Sequence, residues 1–317
     1  MSAMNRVQFQ AGLSMEAFYE RYGTEEKCQA EREASRWPVG FCGPSCRESR
    51  HPRFEREGRA YGQCYRGRKQ STVISGTIFQ ATKWPLRRWF LAMHLLTQAK
   101  NNVSALERMR PLGVCTKTAW LVKHKLLEVM TEREESRVLE GRVEIDDATL
   151  GGEKEGKPGR GSENKTSFVA AVQTRDDGHP LLICLKRLPF TQEAIDAWAN
   201  HSLSASSYVL SEGLKCFTAL EGNVARHEAH VVGSGRQAAQ HPAFRWVNTM
   251  LGNLKSSISG TYPAFKFAKY ADRTLGEAQY RFNRRFDLSA ILVRLTRAAS
   301  VTRPHSMAKI RLAEVGR

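Results

Sequence analysis

The stretch VEIDDATLGG, Val143–Gly152, decides how the rest of the chain is read. Val143 and Ile145 alternate with Glu144, the period of a β-strand that turns one face to a core. The strand is expected to end on two adjacent aspartates, Asp146 and Asp147, ahead of a Gly151-Gly152 turn. Paired carboxylates at a strand end repel one another unless a cation sits against them. A hard divalent ion is the natural partner for donors that are all oxygen. A solvated acidic turn would explain the same residues, so the choice rests on ligands elsewhere in the chain.

Toward the C-terminus, Gly151–Lys165 is a polar loop without periodicity. It is rich in Gly and Lys, lacks the spacing of a nucleotide-binding loop, and offers Arg160 and Lys165 to phosphates. Two strands follow, Thr166–Thr174 and Pro180–Leu188, joined by the turn Asp176-Asp177-Gly178. A helix is expected after Thr191 as N-cap, then a short strand, Ser206–Gly213, that again ends on an acid, Glu212. Three strands, a helix and a strand is the order of a ribonuclease H-like α/β core with a mixed sheet. In that fold the first and fourth strands lie side by side, which makes Asp146 and Glu212 neighbours. After Pro242 a helix places Asn248 and Lys255 seven residues apart on one face. A last helical stretch, Ala268–Leu295, carries Arg281, Arg284 and Arg285, which read either as a cationic stripe or as the solvated side of an amphipathic helix.

Toward the N-terminus, a helix beginning at Pro85 presents Trp89, Phe90, Met93 and Leu96 on one side. Ser104 is a candidate N-cap for a second helix. Gly113 marks a turn, and a third helix starts near Thr116 with Ala119, Val122, Leu126 and Val129 apolar. Two helices about a glycine turn, the second bearing Lys117, Thr118, Lys123, His124 and Lys125, match a helix-turn-helix or a plain helical hairpin. Pro111 is expected to shorten the earlier of the two. Farther back, Gly40–Cys64 reads as a β-hairpin with Cys42, Cys46 and Cys64 as candidate Zn²⁺ ligands. The first pair is spaced by three residues and no cysteine follows Cys64, so zinc ribbon and metal-free hairpin both stay open.

Charge narrows the function. The 317 residues hold 49 Lys and Arg against 32 Asp and Glu, a net +17, which points to a polyanion as partner. No lipidation signal or bilayer-length apolar run occurs, and Met1–Gln10 is too polar for a signal peptide. The expectation is a cytoplasmic, nucleoid-associated protein without a membrane partner. Seven cysteines, an odd number, suit thiols or metal ligands better than disulfides.

Several segments are distinctive together: RVQFQAGLS, YGTEE, GTIFQATK, VEIDDATLGGE, GRGSENK, FRWVNTMLGNLK, SGTY, FAKYA and QYRFNRRFDL. From about Asn5 to Val315 the chain resembles DDE-type insertion-sequence transposases of the ISXO-like family. The resemblance implies a zinc-ribbon-like region over 1–80, a helix-turn-helix region over 81–140, a ribonuclease H-like catalytic core over 141–300 and a basic tail over 301–317. It implies Asp146 as first catalytic residue, Glu212 of SEGLKCF as second, Asn248 as third and Lys255 as the associated basic residue. Asp146, Glu212 and Asn248 would hold Mg²⁺ or Mn²⁺, and Asp147 would either add a third anionic ligand or, as the favoured reading, anchor the turn. The partners implied are double-stranded DNA, both terminal inverted repeats and target, and further copies of the chain on that DNA. The activity implied is metal-dependent strand cleavage and transfer. The alternatives are a remnant that binds terminal repeats without chemistry, and a cellular nuclease of the same fold.

The chain also departs from the family. Glu212 stands where the family carries aspartate, Gly43 and Gly67 replace ribbon cysteines, Thr149 replaces an aromatic residue and Pro263 replaces a histidine. These changes predict a decayed copy with weak or absent strand transfer.

Overall fold

The computed structural model describes residues 7, 9–43, 51–56, 59–99, 104–151, 165–231, 241–261 and 267–312. The chain forms two compact units. One comprises Met1–Val129 with Phe286–Arg311, the other Met130–Arg285 with Leu312–Arg317. The expected division at 80, 140 and 300 is therefore redrawn. A helix expected in the core, α9 (Ile291–Val301), packs on α2 (Glu25–Arg36) and α3 (Leu86–Gln98).

The first unit is mainly helical. α1 (Met15–Tyr22) is capped by Ser14 and buries Phe18 and Tyr22, leaving Met15 and Tyr19 exposed. In α2, Arg32 is fully buried; it donates to Val73 O and to Thr77 Oγ1 and lies 3.8 Å over the Phe79 ring. Beside it Arg36 donates to the carbonyls of Thr72, Val73 and Ser75. Two cations of α2 thus hold the irregular segment 72–79 in place by satisfying carbonyls that no ladder pairs. α3 begins after Pro85, which offers no side-chain cap. Glu25 supplies the acceptors instead, taking the N–H groups of Leu86 and Arg87. α4 (Ala105–Leu112) opens with a capping box. Glu107 N donates to Ser104 Oγ, and Ser104 N donates to Glu107 Oε2. Pro111 lies in its last turn and Gly113, at φ +61°, reverses the chain into α5 (Thr116–Glu134).

The expected hairpin is present as a small antiparallel sheet, β1 (Arg53–Arg56), β2 (Arg59–Gln63) and β3 (Gln70–Ser71). Cys64 follows β2 and is buried, its Sγ accepting a hydrogen bond from Gly67 N. Cys42 is exposed, Cys46 falls outside the described residues, and His51 stacks on Phe41. Among the described residues, no group of three clustered metal-capable side chains contains a cysteine.

The second unit is built on a five-stranded mixed sheet of β4 (Arg142–Leu150), β5 (Thr166–Thr174), β6 (Pro180–Arg187), β7 (Tyr208–Glu212) and β8 (Arg226–His230). The strands lie in the order β6-β5-β4-β7-β8. The first three are antiparallel neighbours, whereas β7 and β8 run parallel to β4. This is the order expected of a ribonuclease H-like core. Thr191 caps α6 (Gln192–Ser202), whose Ile195, Trp198 and Ala199 cover one face of the sheet with Val143, Ile145, Val169 and Val209. The other face, with Ala148, Phe168, Ala170 and Leu210, is covered by α7 (Arg245–Thr261) and α8 (Phe267–Phe282). Because both faces are covered, alternation no longer separates buried from wet positions. Glu144, which the pattern places on a polar face, is 1% exposed.

Candidate metal centre

Strand β4 does not stop at the aspartates. It continues to Leu150, with Asp146 opposite Ala170 and Asp147 opposite Val169 in the antiparallel ladder with β5. What ends at this level is the parallel ladder, whose last pair is Ile145 with Ser211. Beyond it, Asp146, in the middle of β4, stands next to Glu212, the last residue of β7. Alternation puts both on the face covered by α7, with Ala148 and Leu210.

The carboxylates of Asp146, Asp147 and Glu212 each bring an oxygen to within 4.8 Å of the other two. Asp146 is buried at 8% exposure, while Asp147 and Glu212 are half-buried. Asp147, on the opposite face by alternation, reaches the same point. Of its two expected roles, turn anchor and third ligand, the first does not apply, since Asp147 lies within a paired strand. Oxygens coordinated by one Mg²⁺ can be no more than roughly 4.2 Å apart, twice the metal–oxygen distance. A cluster of 4.8 Å is therefore within a small side-chain adjustment of a metal cage, and its donors are of the hard type that Mg²⁺ and Mn²⁺ prefer.

Asn248 and Lys255 lie on α7. The buried stripe Val247, Met250, Leu251, Leu254 and Ile258 packs on the sheet. Asn248 is half-buried beside this stripe and Lys255 is exposed two turns on. The start of α7 is held by Glu144. Its Oε2 accepts the N–H groups of Trp246 at 2.8 Å and Val247 at 3.0 Å, and its Oε1 accepts from Arg142 Nη1 at 2.7 Å. Ser211, fully buried beside Glu212, shares a 2.8 Å hydrogen bond with His227 Nε2. The expected set contained neither Glu144 nor His227; the sequence signal for both was a polar residue inside a predicted strand or loop, which is ordinary at the surface.

The basic residues divide sharply. Lys117 and Lys165 are exposed, and Thr118 is half-buried with its Oγ1 against Cys115 Sγ. Lys123 and His124 are buried, and Lys125 donates to Ile78 O, so these three do not form a solvent-facing basic stripe. Burial holds the Lys125 ammonium below its usual pKa. The stripe expected on the last helical stretch is corrected too. Arg284 is buried in an ion pair with Glu134, and Arg285 donates to Leu181 O and Pro180 O while lying over the Phe282 ring. Guanidinium groups placed against buried acceptors serve the fold first. Arg281 is half-buried, and Arg160 lies outside the described residues.

Residues 138–283 match the family described as the ISXO2-like transposase domain. Over these residues the second unit is similar to an ISXO2-like transposase domain. The match spans the mixed sheet from the approach to β4 through α8 and contains Asp146, Glu212, Asn248 and Lys255. No curated protein matches the chain. Among the described residues, no helix is long and apolar enough to cross a membrane.

Proposed function

We propose that this chain binds insertion-sequence ends and catalyses metal-dependent DNA strand cleavage and transfer, with Asp146, Asp147 and Glu212 as anionic ligands of Mg²⁺ or Mn²⁺. The convergence of these three carboxylates within 4.8 Å carries the reading. Once bound, the ions would polarise the scissile phosphate and stabilise the attacking and leaving oxygens. Asn248 would add a neutral oxygen or orient water, and Lys255 would neutralise phosphate charge at the exposed side of α7. Lys117, Lys165 and Arg281 remain candidate DNA contacts, whereas Lys123, Lys125, Arg284 and Arg285 are withdrawn from that role. The first unit, with α4 and α5 meeting at the Gly113 turn, would recognise terminal repeats as a helix-turn-helix, and copies of the chain would assemble on the DNA.

The longer side chain of Glu212 favours a second reading, a copy that binds ends but transfers strands poorly. One assay separates the two: cleavage of DNA carrying the inverted repeats that flank the coding region, in Mg²⁺ and in Mn²⁺. Wild type, Asp146→Asn and Glu212→Asp would be compared. Cleavage by wild type that Asp146→Asn abolishes supports the transposase. Gel-shift binding without cleavage, rescued by Glu212→Asp, supports the decayed copy. Metal-independent cleavage would overturn both.

A further inference from the structure

Glu144 takes no part in the chemistry just described, yet it is the most deeply buried carboxylate near the candidate site. A carboxylate at 1% exposure is costly unless its oxygens are matched by donors. Here Oε1 is matched by Arg142 and Oε2 by two backbone N–H groups in the first turn of α7, 102 and 103 residues away in sequence. Arg142 itself also donates to Ala243 O, at the entrance to that helix, at 3.4 Å.

We infer that Glu144 is a positioning residue that sets where Asn248 stands relative to Asp146; this rests on the metal-dependent reading above. Asp146 is two residues after Glu144 on the same face of β4, and Asn248 directly follows Val247, whose N–H the Glu144 carboxylate holds. The link between the two elements is thus a few covalent bonds of paired strand, one carboxylate and one residue of helix. The apolar contacts of Val247, Met250, Leu251 and Leu254 press α7 onto the sheet. Such contacts are non-directional and would tolerate sliding along the strand axis. Charge-assisted hydrogen bonds to two successive N–H groups fix that axial position. A helix held only for stability would do as well with an apolar residue at 144.

The test is a double-mutant cycle on Mn²⁺ affinity in the full chain, read by electron paramagnetic resonance titration. The variants are Glu144→Ala, Glu144→Gln, Asn248→Ala and the two doubles, with circular dichroism for folding and hydrogen exchange at the Trp246 and Val247 amides. Glu144→Ala is expected to weaken Mn²⁺ binding by about tenfold, the lower end of what partners behind metal ligands are worth, with faster exchange at those two amides. Glu144→Gln, whose amide oxygen can still accept both N–H groups, should keep most of the affinity. In the Asn248→Ala background neither change should cost more. If Glu144→Ala fails to fold, the Gln variant carries the cycle, its smaller loss again vanishing without Asn248. Additive losses, or unchanged affinity in Glu144→Ala, overturn the positioning role alone. A wild type that binds no Mn²⁺ overturns the metal-dependent reading with it.

Discussion

Glu212 differs from the aspartate expected at its position by one methylene. That methylene adds a torsion which metal binding must freeze and displaces the carboxylate along its arm. The fold has not collapsed around the change, since a Glu212 oxygen still lies within 4.8 Å of both aspartates. Misplacement of a reacting group by about 1 Å can cost about 100-fold in rate. Glu212→Asp is therefore expected to raise single-turnover cleavage of end DNA in Mg²⁺ by up to about 100-fold, measured against wild type at saturating DNA. An equal or lower rate would show that the glutamate is the adapted ligand. At Asp147 the two expected roles differ in kind. A turn anchor could be replaced with little effect on metal, but a ligand could not. Asp147→Ala should weaken Mn²⁺ binding measurably in calorimetry while leaving the melting temperature near that of wild type. The pair of aspartates was legible in sequence; the role of the second was not, because it depends on where the neighbouring strand β7 stops.

Among elements, α8 and the edge strand β6 show how polar side chains finish a sheet. Among the described residues β6 has no further strand beside it, so its outward N–H groups need partners. Ile183 N and Leu185 N donate to Asn283 Oδ1 and Gln279 Oε1, both presented by the end of α8. Asn283 Nδ2 in turn donates to Ile183 O and to Glu134 Oε2, and Arg284 completes the knot on Glu134. Burial by itself would raise the Glu134 carboxyl pKa, but Arg284, Arg137 and Asn283 outweigh it and hold the carboxyl below its ordinary range. A carboxyl with a folded pKa below its unfolded value, about 4.3, contributes its full stabilisation above that value. It loses that contribution as pH falls through the folded pKa. Urea midpoints recorded from pH 7 down to pH 3 should fall over this window, and fall less steeply in Glu134→Gln. Glu134→Ala should cost about 3–5 kcal/mol, since it leaves Arg284 buried without its partner. Gly276 in α8 has a different reason. A Cβ there would meet Thr131 Oγ1 at 2.2 Å and Thr131 Cα at 2.9 Å. Gly276→Ala is therefore expected to destabilise by about 1–3 kcal/mol through overpacking, seen as a lower thermal midpoint.

For the molecule as a whole, the net charge of +17 points to a polyanion, but not every cation is available to one. Arg32 and Arg284 are consumed inside the fold, whereas Lys117 and Lys165 are exposed. Each phosphate contact removed should lower the slope of log affinity against log salt by about one. Lys117→Ala and Lys165→Ala are expected to show that decrease in fluorescence-anisotropy titrations on end DNA, with melting temperatures unchanged. Arg284→Ala should instead lower the melting temperature, because its charge is spent on Glu134. An Arg284→Ala variant that folds normally and loses DNA affinity would restore it to the DNA-binding set.

The order β4, β5, β6, α6, β7 and the caps Thr191 and Ser104 were readable from local pattern, because alternation, capping chemistry and turn residues act over a few positions; the nearness of Asp146 to Glu212 followed from that order, whereas β8 carried no such pattern. The sequence by itself determined the elements and their order. Tertiary structure decided what the polar residues among them do. Which strand stops beside Asp147, which carboxylate meets the first turn of α7 and which arginines face inward are set by contacts between residues far apart in sequence, 102 positions for Glu144 with Trp246 and 150 for Glu134 with Arg284. A carboxylate or guanidinium carries the same one-letter symbol on a wet face and in a sealed one. Only the helices packed on the sheet, by removing water from Glu144 and Arg284, force each to find a partner, and the partners of Glu144 hold the start of α7 beside the candidate site.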